Sequence, residues 1–244
     1  MRVDLQHSAW KATRQDKGPM QDIVLLAEFE KGKLLVVADG ATGANGLAAI
    51  EIIKNAFDQY CAESEPANAE EMKHAFVSII KTAQTSMIER SKEIGRIAAS
   101  VTCTILCTAE PDPKVLLCRL GDSGFVFTHE TQDSLPYPVS RGSDFGLTTW
   151  VSSYEKLDPP KWSEHALVSH GVYRVRLFSD GIHLQFNLNT GENNEQYTEE
   201  ILIGNPKGIH DLIREISEEW SERQDNIWVG MDDISIAGFD VVLP

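Results

Sequence analysis

The sequence predicts an α+β layered fold, because strands in adjacent hairpins are accompanied by pairs of amphipathic helices. Residues 22–40, DIVLLAEFEKGKLLVVADG, hold two apolar runs separated by EKGK, a pattern typical of a β-hairpin with its turn at Gly32. Two helices are predicted next, and strand-like runs return between Ser100 and Thr128. A doubly wound sheet needs strictly alternating strands and helices and is the weaker interpretation.

The predicted helices carry apolar side chains at the three- and four-residue spacing that puts them on one helical face. The first begins at Gly46, and the second follows the polar segment ESEPANAEE. A late helix with the same spacing precedes a last strand, DDISIAGFDVVL. The apolar positions are Leu47, Ile50, Ile53, Phe57 and Tyr60 in the first helix, Met72, Phe76, Ile79, Ile80, Ala83 and Met87 in the second, and Ile209, Leu212, Ile213, Ile216 and Trp220 in the late one.

Further strands are predicted from apolar runs rich in β-branched and aromatic residues. SVTCTILCTAE and KVLLCRLGDSGFVFT are separated by a turn from Pro111 to Pro113, and GVYRVRLFSDGI alternates apolar residues with arginines. Apart from ESEPANAEE, the stretch that looks least like core runs from Asp133 to Ser163. No internal repeat or long linker is visible, so we expect residues 1–244 to form a single domain.

The charge balance bears on the class of partner. The chain has 37 acidic and 22 basic residues and a formal net charge of -15, which repels nucleic acid and anionic lipid. Residues 1–18 lack the apolar core of a signal peptide, and no stretch approaches the length of a membrane span. We therefore expect a cytoplasmic protein with no nucleic-acid or membrane partner.

The cysteines do not have the paired CxxC spacing of zinc sites. Three of the four lie in strand-like apolar runs, and a chain of this length without a secretory signal is a poor candidate for a disulfide framework. We expect Cys61, Cys103, Cys107 and Cys118 to be reduced core thiols.

Aspartates stand at the ends of four predicted strands. LLVVADG contains Asp39, LLCRLGDSG contains Asp122, VRLFSDG contains Asp180, and MDDIS places Asp232 at the head of the last strand. Asp-Gly is a common turn dipeptide, so any one of these alone favours a turn residue. Several carboxylates at one edge of a core would repel one another unless divalent cations neutralised them, and oxygen-only ligands suit magnesium or manganese. Such a site activates water and binds phosphoryl oxygens.

In the same order, these segments resemble the motifs of the metal-dependent protein phosphatases, the type 2C serine/threonine phosphatase family, and its divergent bacterial branch in particular. VVADGATG is similar to the family's VVADGMGG, GDSG to GDSR, SDGI to SDGL, and DDIS to the closing element. In KGPMQDIV, Asp22 matches the aspartate of the first acidic motif, and Lys17 stands where the family has a phosphate-binding arginine. The resemblance runs from about residue 17 to residue 240.

This resemblance implies a four-layer α-β-β-α sandwich with two antiparallel β-sheets at the centre and metal ions at one edge of the sheets. It implies that Asp39 bridges two Mn²⁺ or Mg²⁺ ions, that Lys17 binds the substrate phosphate, and that Asp122 helps to hold a third, weaker ion. The family motifs imply that Asp39 and Lys17 are the catalytic residues. They imply that the metal ligands are Asp22, Asp39, Gly40, Asp122, Asp180 and Asp232.

The reaction implied is hydrolysis of phosphoserine or phosphothreonine in proteins by a water that bridges the two metals. The partners implied are a phosphorylated protein substrate and an opposing serine/threonine kinase. The segment SRGSDFGLTTWVSSYEKLDPPKW lies where the family carries a variable flap, and we expect it to influence substrate choice.

Departures from the family pattern leave two other functions open. Lysine at position 17 replaces a bidentate fork by a point charge, and Gln21 removes one carboxylate from the first motif. Asp233, where the family has asparagine, adds a charge that either tightens metal binding or is solvated. One alternative is a pseudophosphatase that docks a phosphoprotein without turnover, and a lower-ranked one is a phosphoesterase acting on small molecules.

Overall fold

The computed structural model describes residues 1–10, 19–41, 43–108, 113–130, 150–179 and 233–244. Within these ranges the chain forms two antiparallel β-sheets and two helices. In chain order the elements are β1 (Arg2–Trp10), β2 (Asp22–Phe29), β3 (Gly32–Gly40), α1 (Gly46–Glu63), α2 (Ala69–Ile94), β4 (Ala98–Cys107), β5 (Lys114–Leu120), β6 (Gly124–His129), β7 (Val151–Ser152), β8 (Trp162–Ala166), β9 (Gly171–Phe178) and β10 (Ile234–Leu243).

The first sheet has the strand order β2-β3-β4-β5-β8, and the short strand β7 also pairs with β4. Strands β2 and β3 form the predicted hairpin, in which Phe29 pairs with Gly32. The turn itself consists of Glu30 and Lys31, so Gly32 begins β3 and does not form the turn as predicted. The hairpin places the start of β2 beside the end of β3.

The second sheet has the order β1-β10-β9-β6, with every neighbouring pair antiparallel. In β9 the alternation holds, because Tyr173, Val175 and Leu177 are buried on the inner face. Arg176 is buried as well, and its guanidinium donates a hydrogen bond to Oδ1 of Asp240 on β10 at 2.7 Å. This hydrogen bond links β9 to β10, the two central strands of the sheet. In the sequence, Asp180 follows the end of β9 and Asp232 precedes the start of β10.

Both helices form where the apolar spacing predicts them and pack on the outer face of the first sheet. Asn68 caps α2 by accepting a hydrogen bond from the backbone N–H of Glu71 at 3.0 Å. The Glu71 carboxylate in turn accepts from the backbone N–H of Ala67 at 2.9 Å, and this reciprocal arrangement resembles a capping box. At the other end, Gly95 has a φ of +83°, which favours glycine where the helix stops.

Two apolar cores separate the layers. One lies between the helix pair and the first sheet, and the other lies between the two sheets. The observed layers are therefore helix pair, sheet and sheet, as expected for an α+β sandwich with two antiparallel sheets at its centre. The predicted helix over residues 209–220 lies outside the described residues.

Among the strands that the structure describes, the sequence prediction missed β1, β7 and β8. The interpretation of residues 133–163 as least like core is wrong at its described end, because Val151 and Ser152 are fully buried and pair with β4. A two-residue strand is too short to produce a periodic pattern, so nothing in the sequence signals it.

All four cysteines are free thiols, and Cys103, Cys107 and Cys118 are buried in strands, which confirms the prediction. Cys61 is partly buried on α1. In the part of the chain that the structure describes, no helix is long and apolar enough to cross a membrane.

Candidate metal centre

Asp22 and Asp39 face each other across the hairpin. Asp22 is the first residue of β2, Asp39 is the penultimate residue of β3, and the two are direct partners in the antiparallel register. Their exposed fractions are only 6% and 8%. Directly opposed residues have Cβ atoms about 5 Å apart, so two like charges here destabilise the fold unless a cation lies between or beside them.

Both carboxylates lie on the sheet face that meets the second sheet. Leu35 and Val37 on β3 belong to the core between the sheets, and the two-residue period of a strand places Asp39 on that same face. Asp22 and Asp39 thus meet at one edge of an apolar core, and their role as metal ligands stays a prediction. Burial in an apolar setting makes an uncompensated negative charge unfavourable. A cation that neutralises these carboxylates would therefore bind here favourably.

Gly40 is needed for packing directly after Asp39. A Cβ added to Gly40 would lie 2.6 Å from the carbonyl carbon of Gly46, so the two glycines allow the ends of the loop 41–45 to touch. The Gly40 N–H donates to the carbonyl oxygen of Gln21 at 2.8 Å, and the Ala41 N–H donates to that of Ala98 at 3.0 Å. The glycine-rich loop is thus fixed to both neighbouring segments.

Asp233 belongs to the same end of the molecule, and sequence reasoning did not assign it a contact. It is 4% exposed, and its Oδ2 accepts a hydrogen bond from the backbone N–H of Gln21 at 2.7 Å. Of the two alternatives for its extra charge, a solvated carboxylate is wrong, because Asp233 is buried, and tighter metal binding stays a prediction. A signal was present in the doubled aspartate of MDDIS, but only the fold shows which segment it meets.

The GDS turn between β5 and β6 is held beside the Asp39 strand. Ser100, the partner of Asp39 on β4, shares a hydrogen bond between hydroxyl groups with Ser123. Gly121 has a φ of +90°, and a Cβ there would lie 2.5 Å from Cβ of Ser100, so only glycine fits. Asp122 follows with an exposed side chain at the rim. Its role toward a third, weaker ion stays a prediction.

Three predicted site residues, Lys17, Asp180 and Asp232, lie outside the described residues. Ser179 directly precedes Asp180, Ser235 lies three residues after Asp232, and these two described serines are bonded to each other. The backbone N–H of Ser179 donates to the Ser235 carbonyl at 3.0 Å, and the N–H of Ser235 donates to Oγ of Ser179 at 2.9 Å.

The donor chemistry fits a hard divalent cation. Asp22, Asp39 and Asp233 are buried carboxylates, and carboxylate oxygens are the ligands that Mg²⁺ and Mn²⁺ prefer. Within the described ranges, however, no three His, Cys, Asp or Glu side chains are grouped so that they could hold a metal ion by themselves. The described carboxylates therefore fit as part of a ligand set.

The thiols are poor candidates for nucleophiles. Burial raises the pKa of Cys103 and of Cys118, and it raises the pKa of Cys61 to about 11. A thiol must be deprotonated to attack a phosphoryl group, so these cysteines are unreactive near neutral pH. The local chemistry does not resemble that of a cysteine-dependent phosphatase.

Solved structures similar to this fold include bacterial serine/threonine phosphatases. The Mycobacterium tuberculosis serine/threonine phosphatase PstP/Ppp superposes with a TM-score of 0.66 at 12% identity, covering 99% of both chains. Stp1 from Staphylococcus aureus superposes with a TM-score of 0.68 at 14% identity, covering 99% of this chain and 96% of its own. The catalytic domain of PstP in complex with two manganese ions gives 0.64 at 14% identity, with 99% of both chains covered.

No curated protein sequence matches this chain significantly. Residues 11–224 match the family described as protein phosphatase 2C, a span that contains Asp22, Asp39, Asp122 and Asp180 but ends before Asp232. The chain belongs to the protein phosphatase 2C family.

Proposed function

We propose that this protein is a metal-dependent serine/threonine phosphatase that hydrolyses phosphoserine and phosphothreonine in proteins. The observation that carries the proposal is the buried, directly opposed pair Asp22 and Asp39. Membership of the protein phosphatase 2C family supports the reaction, and the same family supports a phosphoprotein as the class of substrate. We further propose that residues 1–244 act as one domain.

We infer that two Mn²⁺ or Mg²⁺ ions bind at Asp22, Asp39, the Gly40 carbonyl, Asp180 and Asp232, and that Asp122 helps to hold a third. The support is the all-oxygen donor set and the burial of Asp22 and Asp39. The similar PstP domain, which was solved in complex with two manganese ions, is consistent with this number. Such ions supply an activated water nucleophile and neutralise phosphoryl oxygens.

The protein's own residues position this chemistry. Asp39 is held by the β2–β3 ladder on one side, and its partner Ser100 on β4 holds the other. Lys17, which we propose as the contact to the substrate phosphate, supplies a point charge in a strongly acidic chain. Ala41, directly after Gly40, has no side-chain group that could act as a general acid, and we propose that solvent protonates the leaving oxygen.

The remaining partner and location proposals follow from the reaction. A phosphoprotein phosphatase needs a kinase that installs the phosphate, so we propose an opposing serine/threonine kinase. The acidic composition favours neither a nucleic-acid nor a membrane partner, and four free thiols agree with a reducing cytoplasm.

A pseudophosphatase is the second candidate, and one observation favours it. The backbone carbonyl of Gln21 accepts a hydrogen bond from the Gly40 N–H, and its backbone N–H donates one to Asp233. A Cβ added to Gly46 would collide with Oε1 of the Gln21 side chain. This position therefore serves packing and has no carboxylate to offer. The protein would then dock a phosphoprotein without turnover.

The deciding experiment measures hydrolysis of a phosphothreonine peptide with and without millimolar Mn²⁺, together with Mn²⁺ binding. Asp39→Asn is the test variant, and Asp58→Asn, an exposed aspartate on α1, is the matched control. We expect metal-dependent turnover that disappears in Asp39→Asn and persists in Asp58→Asn. Manganese binding without turnover of any peptide would instead identify the pseudophosphatase, and Lys17→Arg with Gln21→Glu would then be tested for restored activity.

The same assay separates the lower-ranked alternative, a phosphoesterase for small molecules. Nucleotides and sugar phosphates are offered at the same concentration as the peptide. Turnover of these compounds without turnover of phosphopeptides would overturn the protein phosphatase proposal.

A further inference from the structure

Arg96 is an exposed cation stacked on an exposed aromatic ring. Its Cζ lies 5.3 Å from the centroid of the Tyr154 ring, and Tyr154 is 50% exposed. Among the ion pairs that the described residues form, none includes Arg96. In a chain of net charge -15, an arginine held on a ring and left open to solvent is a candidate site for an anionic ligand.

The main chain of Arg96 is fastened to the loop that follows Gly40. Its carbonyl oxygen accepts from the backbone N–H of Asn45 at 2.8 Å and from Nδ2 of Asn45 at 3.0 Å. The same Nδ2 donates to the carbonyl of Ile94 at 2.7 Å. The position of Arg96 is therefore coupled to the glycine-rich loop of the candidate metal centre.

Tyr154 stands on a turn that is fixed equally well. The Ser153 N–H donates to the Ile97 carbonyl at 2.9 Å, and Oγ of Ser153 accepts from the Ile97 N–H at 3.1 Å. Nε2 of Gln84 donates to the carbonyls of Ser152 at 3.1 Å and Glu155 at 2.8 Å. The backbone on both sides of Tyr154 is thus held in place before any ligand arrives, which lowers the entropy cost of binding.

The distance to the metal centre suits a residue close to the phosphate in a substrate. Asp39 pairs with Ser100, and Arg96 precedes Ser100 by four residues, so the Cα atoms of Arg96 and Ser100 are at most about 14 Å apart and those of Arg96 and Asp39 at most about 19 Å apart. The long arginine side chain can shorten this span. An extended peptide covers the remaining distance with about two to four residues.

We propose that Arg96, stacked on Tyr154, binds an anionic side chain of the substrate located about two to four residues from the phosphorylated serine or threonine. This inference rests on the proposed function. The guanidinium offers a planar pair of donors that matches a carboxylate or a second phosphate group. Both sources present the same chemistry, and the peptides below distinguish them.

The test compares phosphothreonine peptides that carry alanine, aspartate or phosphoserine at one flanking position, scanned on both sides of the phosphothreonine. The variants are Arg96→Gln and, as matched control, Arg90→Gln, an exposed arginine on α2, the helix that ends shortly before Arg96; Arg90 pairs with Glu93. We expect aspartate or phosphoserine to raise kcat/KM of the wild type by about two- to fivefold, as one exposed ion pair can. Arg96→Gln removes this gain and leaves the alanine peptide unchanged, while Arg90→Gln keeps it.

A charge reversal provides the readout that a merely structural role would not produce. Arg96→Glu is expected to reverse the preference, so that a lysine-bearing peptide becomes better than the aspartate-bearing one. Equal rates on all peptides in the wild type, or equal losses on all peptides in Arg96→Gln, would overturn the inference.

Binding is measured in parallel with fluorescent peptides in which a non-hydrolysable phosphonate replaces the phosphate. If no peptide is hydrolysed, the proposed function fails, yet a preference for the acidic peptide that depends on Arg96 still supports the docking site. If peptides are hydrolysed and bound without any preference, the docking site fails and the phosphatase stands.

Discussion

The backbone N–H of Gln21 donates a hydrogen bond to Oδ2 of Asp233 at 2.7 Å, which joins the residue before β2 to the residue before β10. These strands belong to different sheets. The carbonyl of the same Gln21 accepts from Gly40 at 2.8 Å, so one peptide segment connects both sheets beside Asp22 and Asp39. The carboxylate that sequence reasoning treated as an added charge is a structural link between the sheets.

We predict that Asp233→Ala is less stable than Asp233→Asn by about 1–3 kcal/mol in the free energy of unfolding. Both variants lack the charge, but asparagine keeps an oxygen that accepts from Gln21, whereas alanine leaves that N–H without its acceptor. Urea unfolding in the presence of EDTA measures the difference. Asp58→Ala and Asp58→Asn on the exposed face of α1 serve as the control pair. Equal stability of the two Asp233 variants would contradict the link.

The opposed carboxylates predict opposite effects of Asp39→Asn with and without metal. Without metal, the variant is expected to be more stable than the wild type by up to about 1 kcal/mol, because a directly opposed like charge is removed. With Mn²⁺ at a hundredfold excess over Kd, the wild type gains about 2.7 kcal/mol and overtakes the variant. Thermal unfolding in EDTA and in Mn²⁺ measures both effects. A variant that gains as much from Mn²⁺ as the wild type would show that Asp39 is not a ligand.

The close contact between Gly40 and Gly46 predicts that alanine at Gly40 has a larger effect than alanine at Gly43. Gly40→Ala forces the loop away from Gly46 and is expected to cost about 1–3 kcal/mol and to weaken Mn²⁺ binding. Gly43 has a φ of +87° with open space around its Cα, so Gly43→Ala costs about 1 kcal/mol from backbone strain alone. Titration calorimetry with Mn²⁺ separates the two, because only Gly40→Ala should change the affinity. An equal loss of affinity in both would indicate a general disturbance of the loop.

Local patterns predicted the parts of this fold whose signals lie within one element or one hairpin. The apolar faces of α1 and α2 and the pairing of β2 with β3 follow from spacings of a few residues. The opposition of Asp22 and Asp39 was not predicted, because it depends on the hairpin register, and that register is set by a two-residue turn at Glu30 and Lys31 where the sequence analysis placed the turn at Gly32.

Features that depend on distant segments could not be predicted from patterns. Strand β1 contains only a brief alternation around Val3 and Leu5, and it becomes a strand by pairing with β10 at the other end of the chain. Gln21 and Asp233 are 212 positions apart, and no local spacing relates them. The pairing of Arg96 with Tyr154 likewise depends on β7 lying beside β4.

Glu164 predicts a pH dependence of stability far from the candidate metal centre. It lies on β8, forms an ion pair with Lys73 of α2, and lies 3.5 Å from Nζ of Lys114. The hydrogen bond from Lys73 lowers the pKa of Glu164 below its usual 4.5, so the pair stabilises the fold above that pH and is lost as pH falls through the lowered value. Burial lowers the pKa of Lys73, but the hydrogen bonds to the carboxylates of Glu164 and Glu70 outweigh that effect and raise it. Lys73 therefore stays protonated, and the ion pair persists, at alkaline pH.

We predict that Glu164→Gln reduces the free energy of unfolding by less than about 1 kcal/mol, because Glu164 is 42% exposed and solvent screens the pair. The difference from wild type should be constant between about pH 6 and pH 9 and disappear as the acid limb is reached, where Glu164 is protonated in both states. Urea unfolding across this range measures it, with Glu155→Gln, an exposed carboxylate outside the cluster, as control. The difference should also shrink in high salt. A difference that persists unchanged in acid would mean that glutamine disturbs the packing of β8 on α2, and that the charge of Glu164 does not contribute.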